Sequence, residues 1–437
     1  MTTSPASPTS SPSAAGPREL VELTGHVLDS GLFTLVLDDV RALGGDYEVV
    51  RLDVGKDHAD PTTVRIAVTA PDARTLDSVV MRLHTHGANL VQVEPARLVR
   101  VERDGVFPAD FYATTNLPTQ VRIGEQWFPV QNPEMDCGIV VDSDDPDGSG
   151  TDPGGGSPVR SVRTVPVSDV RAGTRVVCGA VGVRVTLPQA RAGDGSGFTF
   201  MQSDVSSEKP QQLVVTQVAE QMRQVRAAGR RILWVLGPAV VHTGAAPSMA
   251  ALVRGGWVDV MFGGNAIATH DVEQSMYGTS LGVDLSAGRG VEHGHEHHLR
   301  AINAVRAAGS LSAAVSQGVV TSGIMHALVS GGKDFVLVGS VRDDGPLPDV
   351  HTDVIAGQRA MRAQLDQVGF CIVVATMLHG VATGNVLPGD VPLVCVDINP
   401  ATVTKLADRG SAQARGVVTD VGLFCAALAR ELTGAET

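Results

Sequence analysis

The sequence lacks the features that would direct it to a membrane or to nucleic acid. No apolar run approaches the ~18–20 residues that a transmembrane helix needs. The first 17 residues are rich in Ser, Pro, Thr and Ala and have neither a basic n-region nor an apolar segment, which predicts a disordered tail rather than a signal peptide. A net charge of −13, without a basic patch interleaved with aromatics, disfavours a nucleic-acid partner. We therefore expect a soluble, cytoplasmic protein.

Cysteine is scarce, and its distribution excludes two further classes of protein. The five cysteines are scattered, form no CxxC pair and stand mostly in apolar runs: Cys137, Cys178, Cys371, Cys395 and Cys425. An odd number of scattered cysteines is typical of reduced, buried thiols in a cytoplasmic protein. The pattern predicts neither a disulfide framework nor a structural zinc site.

The length and the hydrophobic patterning predict three domains after the tail at 1–17. A chain of 437 residues exceeds the ~250–300 at which a single core usually stops growing. Residues 18–103 show the order strand, helix, strand, strand, helix, strand, which is the split βαβ, ferredoxin-like motif. Such a domain can bind a small effector, cap an active site or serve only for packing and dimerisation. Its role stays open at this point.

The remainder of the chain changes character twice. Residues 104–210 have short, Val-rich strands between Gly, Pro and Asp, which predicts a small β-rich domain with a flexible loop at 142–158. Residues 211–437 alternate amphipathic helices with nearly continuous apolar strands. That alternation is typical of a parallel sheet covered on both faces, in which ligands bind beyond the carboxyl ends of the strands.

The GxGxxG fingerprint of dinucleotide-binding domains is also missing. Polar and glycine-rich groups nevertheless follow three predicted strands: Gly263-Gly264-Asn265-Ala266, Thr376-Met377-Leu378-His379-Gly380 and Asp397-Ile398-Asn399. A dinucleotide needs backbone N–H groups near its pyrophosphate and an acid for its ribose hydroxyls. Asp397 can accept from ribose and would repel a 2′-phosphate, which favours NAD over NADP. It can equally be the N-cap of the next helix, and Thr419-Asp420-Val421 has the same two interpretations.

Two further segments offer groups for acid–base work on a substrate. Lys209 stands just before the last domain and can bind a carboxylate or, if burial lowers its pKa, exchange protons. A solvated lysine in a linker is the alternative. Glu134 and Asp136 precede a buried strand and can receive a substrate ammonium, with a turn-and-cap role as the competing interpretation.

The run 292–298 is rich in histidine, so a metal has to be considered. His293 and His297 stand four residues apart, but the order H-G-H-E-H lacks the general-base pattern of H-E-x-x-H. We expect no metal here. A helix-start cluster that includes His295 and binds substrate or relays protons is the favoured interpretation, because imidazoles titrate near neutrality. A solvated helix start is the alternative.

Seven segments taken together resemble one family. They are YATTNLPTQV (112–121), NPEMDCGIVV (132–141), VSSEKP (205–210), GPAVVHTGA (237–245), FGGNAIATHDVEQSMYGTSLG (262–282), HGHEHHLRAIN (293–303) and ATMLHG (375–380). The family is named for the conserved region of the bifunctional lysine-ketoglutarate reductase/saccharopine dehydrogenase enzymes. Within it the sequence is similar to the archaeal-type ornithine cyclodeaminases and to the C-terminal part of cyanobacterial arginine dihydrolase/ornithine cyclodeaminases.

The resemblance implies a fold and a cofactor. The NAD domain would resemble the deoxyhypusine-synthase-like fold rather than an ordinary Rossmann domain. The implied NAD contacts are Asn265, Ala266, Asp344, Thr376, Met377, Leu378, His379, Asp397, Asp420 and Val421.

The resemblance also implies a reaction, L-ornithine to L-proline and ammonia, with NAD used and regenerated in each turnover. The protein must then deprotonate amines and hold a carboxylate. As a hypothesis, Lys209 binds the carboxylate or shuttles a proton, while Glu134, Asp136 and His295 handle the ammonium groups. Two alternatives remain: an NAD-dependent amino-acid or saccharopine-type dehydrogenase, and a non-catalytic amino-acid sensor. A homo-oligomer is expected.

Overall fold

The structure is a computed structural model of the whole chain, which divides into two compact units, 1–192 and 193–437. It describes residues 16–28, 31–55, 60–91, 94–143, 159–186, 211–281, 283–284, 289–290, 296–343, 345–408 and 414–434. The predicted tail at 1–17 and the loop at 142–158 therefore lie largely outside the described residues.

The first unit begins with the predicted ferredoxin-like arrangement. Its elements are β1 (Arg18–Gly25), α1 (Leu32–Ala42), β2 (Asp46–Asp53), β3 (Thr62–Thr69), α2 (Ala73–His84) and β4 (Asn89–Leu90). The four strands pair antiparallel in the order β2-β3-β1-β4. Residues of β1, β3 and both helices form one buried apolar cluster, so this sheet is covered by helices. The ferredoxin-like part of the predicted fold class is confirmed.

The last strand of this motif is shorter than the sequence indicates. The segment 89–99 is predicted as one strand, but β4 ends at Leu90, and the next strand, β5 (Arg97–Arg100), pairs with a strand of a different sheet. Pro95 stands between the two segments. Proline has no N–H for a ladder and breaks a continuous strand.

The remainder of the first unit is built from short strands, as predicted. They are β6 (Thr119–Ile123), β7 (Gln126–Pro129), β8 (Gly138–Ser143), β9 (Val159–Val165), β10 (Arg175–Cys178) and β11 (Val183–Val185). They form two antiparallel sheets, β5-β10-β8-β9 and β11-β6-β7. Valine side chains from both sheets share one apolar cluster. The β-rich character expected of this part of the chain is confirmed.

The second unit is an α/β domain around a seven-stranded sheet. Its strands are β12 (Arg231–Leu236), β13 (Val260–Gly263), β17 (Asp334–Val338), β18 (Val350–His351), β19 (Val368–Val374), β20 (Leu393–Asp397) and β21 (Ala414–Val418); short strands β14 (Thr279–Ser280), β15 (Val283–Asp284) and β16 (Arg289–Gly290) form a separate sheet. The helices are α3 (Gln211–Ala227), α4 (Ala239–His242), α5 (Ala246–Arg254), α6 (Asn265–Tyr277), α7 (His297–Ala308), α8 (Leu311–Ser316), α9 (Gly323–Ser330), α10 (Val354–Ala363), α11 (Leu378–Val386), α12 (Pro400–Asp408) and α13 (Val421–Thr433).

All pairings of the seven-stranded sheet are parallel, which confirms the prediction from continuous apolar strands. Two apolar clusters contain alternate residues of the same strands, one for each face, so helices cover the sheet on both sides. The order is β18-β17-β13-β12-β19-β20-β21. Within this sheet, β12 is central, and the strands that follow it in sequence are added on one side as far as β18. The chain then returns to the other side of β12, where β19, β20 and β21 are added in turn.

This order is that of the doubly wound, dinucleotide-binding folds, and the reversal between β12 and β19 is a topological switch point. The difference from an ordinary Rossmann domain lies in the turn after β12, where Gly237-Pro238 stands in place of GxGxxG. No helix among the described residues is long and apolar enough to cross a membrane. The predicted domain boundaries at 103/104 and 210/211 stay predictions.

Candidate functional site

The switch point opens between the turns that follow β12 and β19. Gly237 donates its N–H to the Val374 carbonyl at 2.9 Å, and a methyl group at Gly237 would stand 1.9 Å from the Ala375 carbonyl oxygen. Only glycine allows the two turns to approach so closely. Ala375 has φ 52°, a left-handed conformation that is uncommon for alanine and that is often found at functional sites.

Two helices point N-termini without a side-chain cap at this edge of the sheet. α6 begins after Gly264 and α11 begins after Met377, and at neither N-terminus does the side chain of the N-cap residue accept a hydrogen bond from the backbone N–H groups. The two N-termini are neighbours, because a methyl group at Gly264 would come within 3.1 Å of the His379 ring carbon Cε1. Uncapped N–H groups and the positive ends of two helix dipoles make a favourable place for a phosphate group.

Asn265 and Ala266 form the first turn of α6. Asn265 is buried, and its Oδ1 accepts from the backbone N–H of Leu347 at 3.0 Å and from Thr269 Oγ1 at 3.3 Å. This carbonyl oxygen therefore ties the helix start to the loop after β17. Ala266 is partly exposed beside it.

Thr376, Met377, Leu378 and His379 form the turn and helix start after β19. His379 Nε2 lies 3.3 Å from the Val338 carbonyl oxygen, which can only accept, so Nε2 carries the proton and Nδ1 the lone pair. Burial lowers the pKa of His379, against the smaller raising effects of that hydrogen bond and of nearby Asp343. His379 is therefore a neutral imidazole near neutrality.

The two interpretations of Asp397 and Asp420 are resolved differently by the structure. Asp397 is buried at the end of β20, and its Oδ1 accepts from the N–H of Asn399 at 2.8 Å. Asn399 is the residue that caps α12, since its Oδ1 accepts from Ala401 N at 3.0 Å. Asp420 is the N-cap of α13 and accepts from Leu423 N at 2.8 Å, with Val421 buried next to it. Asp397 thus does not cap a helix, whereas Asp420 caps α13.

Large apolar side chains are exposed in the turns and helix starts at the same edge of the sheet. They follow β17, β19, β20 and β21 in turn: Val341, Met377, Leu378, Ile398 and Leu423. Exposed apolar groups beside hydrogen-bonding groups are typical of a ligand site. The edge therefore offers apolar surface for a flat ring, N–H groups for a phosphate and a carboxylate for hydroxyls.

Glu134 and Asp136 lie in the first unit, in a loop held by Thr114. Thr114 Oγ1 donates to the Glu134 carbonyl at 2.5 Å, and the N–H of Cys137 donates to Thr114 Oγ1 at 3.1 Å. Asp136 donates its N–H to the Thr114 carbonyl at 3.0 Å. The tertiary structure thus joins two of the segments that carry the family resemblance, 112–121 and 132–141.

The two carboxyl groups of this loop have different surroundings. The Glu134 side chain is buried, with Cys137 Sγ 3.7 Å from its Oε2, while Asp136 is exposed. Asp136 has φ 61° and Asn132 has φ 48°, so the loop has two left-handed residues that are not glycine. Such backbone strain often accompanies a functional site.

Three predicted site residues, Lys209, His295 and Asp344, lie outside the described residues. Most of the histidine-rich run does as well, and α7 begins at His297. Within the part of the chain that the structure describes, no group of three or more His, Cys, Asp or Glu side chains is arranged to hold a metal ion.

The structure also assembles a polar cluster in the second unit that is not among the sequence-predicted sites. Glu273 of α6 has no exposed surface and bonds to the side chains of His270 and Thr279. Thr279 bonds in turn to His297, and His242, which bonds to Ser280, stands edge-on to His270. The spacing of His270 and Glu273, three residues apart on one helix face, is the sequence pattern that could have indicated it.

Three family models together match almost the whole chain. Residues 18–117 match the LOR/SDH bifunctional enzyme conserved region. Residues 118–215 match the first region of the C-terminal part of ArgZ-like arginine dihydrolases. Residues 216–428 match the second region of that part, which is described as a Rossmann fold.

Known relatives cover nearly the same span. An ornithine cyclodeaminase from Methanothermobacter thermautotrophicus is 46% identical over 412 residues, 94% of this chain and 97% of its own length. The crystal structure of apo ArgZ, a cyanobacterial arginine dihydrolase, is 34% identical with a TM-score of 0.82 and covers 99% of this chain. A ternary complex of AgrE with ornithine and NAD⁺ is 38% identical over 95% of this chain, with a TM-score of 0.50. The chain spans 61% of ArgZ and 57% of AgrE.

Proposed function

The chain belongs to the family that joins the LOR/SDH conserved region to the two C-terminal regions of ArgZ-like proteins, and from this we propose that it is an NAD-dependent ornithine cyclodeaminase. It converts L-ornithine to L-proline and ammonia. The observation that carries the proposal is 46% identity to an archaeal ornithine cyclodeaminase over 97% of that enzyme. The arginine dihydrolase activity of the longer cyanobacterial relatives is not part of the proposal, because this chain spans 58% of their length.

The carboxyl edge of the seven-stranded sheet fits NAD. The uncapped N-termini of α6 and α11, with Gly264 between them, can receive the pyrophosphate. Asp397 uses one oxygen for Asn399, and a carboxylate has about four lone-pair sites, so the carboxylate has acceptor capacity left for ribose hydroxyls. We propose the same cofactor site that the resemblance implied. It includes Asp344, which lies outside the residues that the structure describes.

When it is bound there, NAD would accept a hydride from the substrate α-carbon and return it after ring closure. The chain's own groups bind the substrate and move protons. Asp136, exposed on its strained loop, and Glu134, buried beside Cys137, are proposed to receive the ammonium groups. Lys209 and His295 are proposed for the carboxylate and for proton transfer on the basis of the resemblance alone.

We also propose a cytoplasmic location and a homo-oligomeric state. The composition supports the first, since the five cysteines have the distribution of reduced thiols and the described ones are buried and unpaired by disulfides. For the second, size-exclusion chromatography with light scattering gives the mass directly. A mass near 45.4 kDa would contradict self-association.

The test is incubation of the purified protein with L-ornithine and a sub-stoichiometric amount of NAD, following proline, ammonia and NADH absorbance together. Many turnovers of proline and ammonia without lasting NADH are expected. NADH that rises in step with product would identify a dehydrogenase instead. Binding of ornithine and NAD without any product would identify a sensor.

A further inference from the structure

Glu273 is the centre of a hydrogen-bond network inside the second unit. Its side chain is 0% exposed. Oε1 accepts from Thr279 Oγ1 at 3.0 Å, while Oε2 lies 2.8 Å from His270 Nδ1 and accepts from the N–H of Leu281 at 3.2 Å. A buried carboxylate that engages so many donors is held in one position.

The network fixes the protonation of two imidazoles. An ionised carboxylate can only accept, so His270 Nδ1 carries a proton, and in the neutral ring the lone pair is on Nε2. Thr279 spends its one hydroxyl proton on Glu273 and must therefore accept from His297 Nδ1, which lies 2.8 Å away. Both rings consequently present Nε2 as the basic nitrogen, the arrangement that a carboxylate imposes on a general-base histidine.

The His270 ring connects this buried anchor to the surface. Its side chain keeps 11% of its surface exposed while Glu273 keeps none. The ring stands edge-on to His242, with 4.8 Å between centroids, and His298 lies on its other side at 6.3 Å. His242 is in turn bonded to Ser280 at 2.7 Å.

The cluster borders the proposed cofactor edge within the same unit. α6 carries Asn265 at its start and His270 little more than one turn later. α4, which ends at His242, begins at Ala239, two residues after Gly237 at the switch point. The next residue, Thr243, lies close to the Asp420 end of the edge, because a methyl group at Gly422 would be 3.1 Å from the Thr243 carbonyl and 3.2 Å from Asp420 Oδ1.

We propose that His270 is a base of the reaction and that Glu273 is its positioning residue. His270 Nε2 takes one proton from a substrate ammonium, which leaves a neutral amine with a free lone pair and an imidazolium whose charge Glu273 offsets. The imidazolium returns that proton to the α-nitrogen as the latter departs as ammonia, so the side chain ends each turnover unchanged. This assignment rests on the proposed cyclodeaminase activity.

The test compares three variants by kcat and KM for L-ornithine, by NAD affinity and by pH profile. His270→Ala removes the base, and Glu273→Gln keeps the shape but turns an amide N–H₂ toward one of the donors. Asp271→Asn is the matched control, since Asp271 is equally buried on the same helix but faces α9, where it accepts from Ile324 and Met325 N–H groups.

We expect kcat to fall ~10²–10⁴-fold in His270→Ala and Glu273→Gln, the range for loss of a general base. In all three variants, the KM for L-ornithine and the NAD affinity should stay within about threefold of the wild-type values. The kcat of Asp271→Asn should stay within the same range. Added imidazole should restore turnover to His270→Ala in proportion to its unprotonated fraction. Among the described residues, the titratable side chains that face His270 are His242 from α4, Glu273 from α6 and His298 from α7.

A readout independent of turnover covers a variant that folds poorly. Ring ¹⁵N chemical shifts of the wild-type protein, with the His270 signal identified by its absence from His270→Gln, should show the Nδ1–H form. An Nε2–H form, or a kcat of His270→Ala within threefold of wild type, would overturn the proposal. Wild-type protein that makes no proline would instead overturn the proposed function, and the ¹⁵N shifts would still report on the Glu273 anchor.

Discussion

Each unit buries a histidine, and the surroundings of the two are opposite. His84 in the first unit has its Nδ1 3.3 Å from the Tyr112 hydroxyl, while its Nε2 has no hydrogen-bond partner among the described residues. Burial alone lowers the pKa of His84 to about 4. His270 in the second unit has a buried carboxylate at 2.8 Å. A histidine buried in apolar surroundings therefore lowers the stability of the fold when the pH falls. A histidine buried next to a carboxylate is instead oriented for proton transfer.

The largest effect on stability should come from removing the carboxylate that pairs with His270. Glu273→Ala leaves three donors without their acceptor, two of them on the buried side chains of His270 and Thr279, and should lower the unfolding free energy of the second unit by about 3–5 kcal/mol. Urea unfolding followed by the fluorescence of Trp234 and Trp257 measures it in a Trp127→Phe background. Glu273→Gln, which keeps one acceptor, should lose less. Equal stability of the alanine variant and wild type would refute a structural anchor.

The burial of His84 without a carboxylate partner should make the stability of the first unit sensitive to acid. The folded pKa of His84, about 4, lies below its ordinary value of 6.5, so protons bind more tightly to the unfolded chain. The free energy of unfolding of the first unit should therefore be highest above pH 6.5 and should decrease as the pH falls toward 4. The difference of 2.5 pH units corresponds to about 3 kcal/mol between pH 7 and pH 4.

Urea unfolding monitored at Trp127, with the other two tryptophans replaced by Phe, measures this dependence. His84→Gln cannot take up the proton and is the control, which should lose less stability over the same range. A variant with the same acid dependence as its parent would assign the effect to other groups.

The next effect tests whether a buried carboxylate of the second unit serves a ligand rather than the fold. Asp397→Ala should weaken NAD binding by about 1.5–3 kcal/mol, the value of hydrogen bonds to a charged acceptor. It should also narrow the preference for NAD over NADP, because the repulsion of a 2′-phosphate is removed. Asp390→Ala, which removes an exposed carboxylate three residues before the strand that Asp397 terminates, is the control in a calorimetric titration. An unchanged dissociation constant for both variants would contradict the site.

The smallest effect compares two helix caps, one in each unit. Asp420→Ala should cost the second unit about 1 kcal/mol, the usual value of an N-cap, and should weaken NAD binding as well. Asp72 caps α2 in the first unit, where Thr75 donates from both its N–H and its hydroxyl. Asp72→Ala should destabilise only its own unit and leave NAD affinity unchanged. If neither variant alters NAD binding, Asp420 is a cap alone.

Periodicity predicted most of the architecture correctly. The alternation in β1 and β3 and the helical patterns of α1 and α2 identified the ferredoxin-like motif, and continuous apolar strands identified the parallel sheet. The error fell at 89–99, a segment predicted as one strand although Pro95 stands within it. The clustering of polar groups at strand ends was also correct, because parallel strands bring their carboxyl ends to one edge.

The sequence by itself determined the fold class, the family and the list of candidate groups, since these follow from local pattern and from motifs that stand together in the chain. Only the tertiary structure decided what each group can do. It showed that Asn399, and not Asp397, caps α12, and it joined Thr114 to the Glu134 loop. It also placed Glu273 beside His270 and Thr279. Hydrogen-bond partners and burial depend on atoms distant in sequence, and these decide which nitrogen carries a proton and which carboxylate is already occupied.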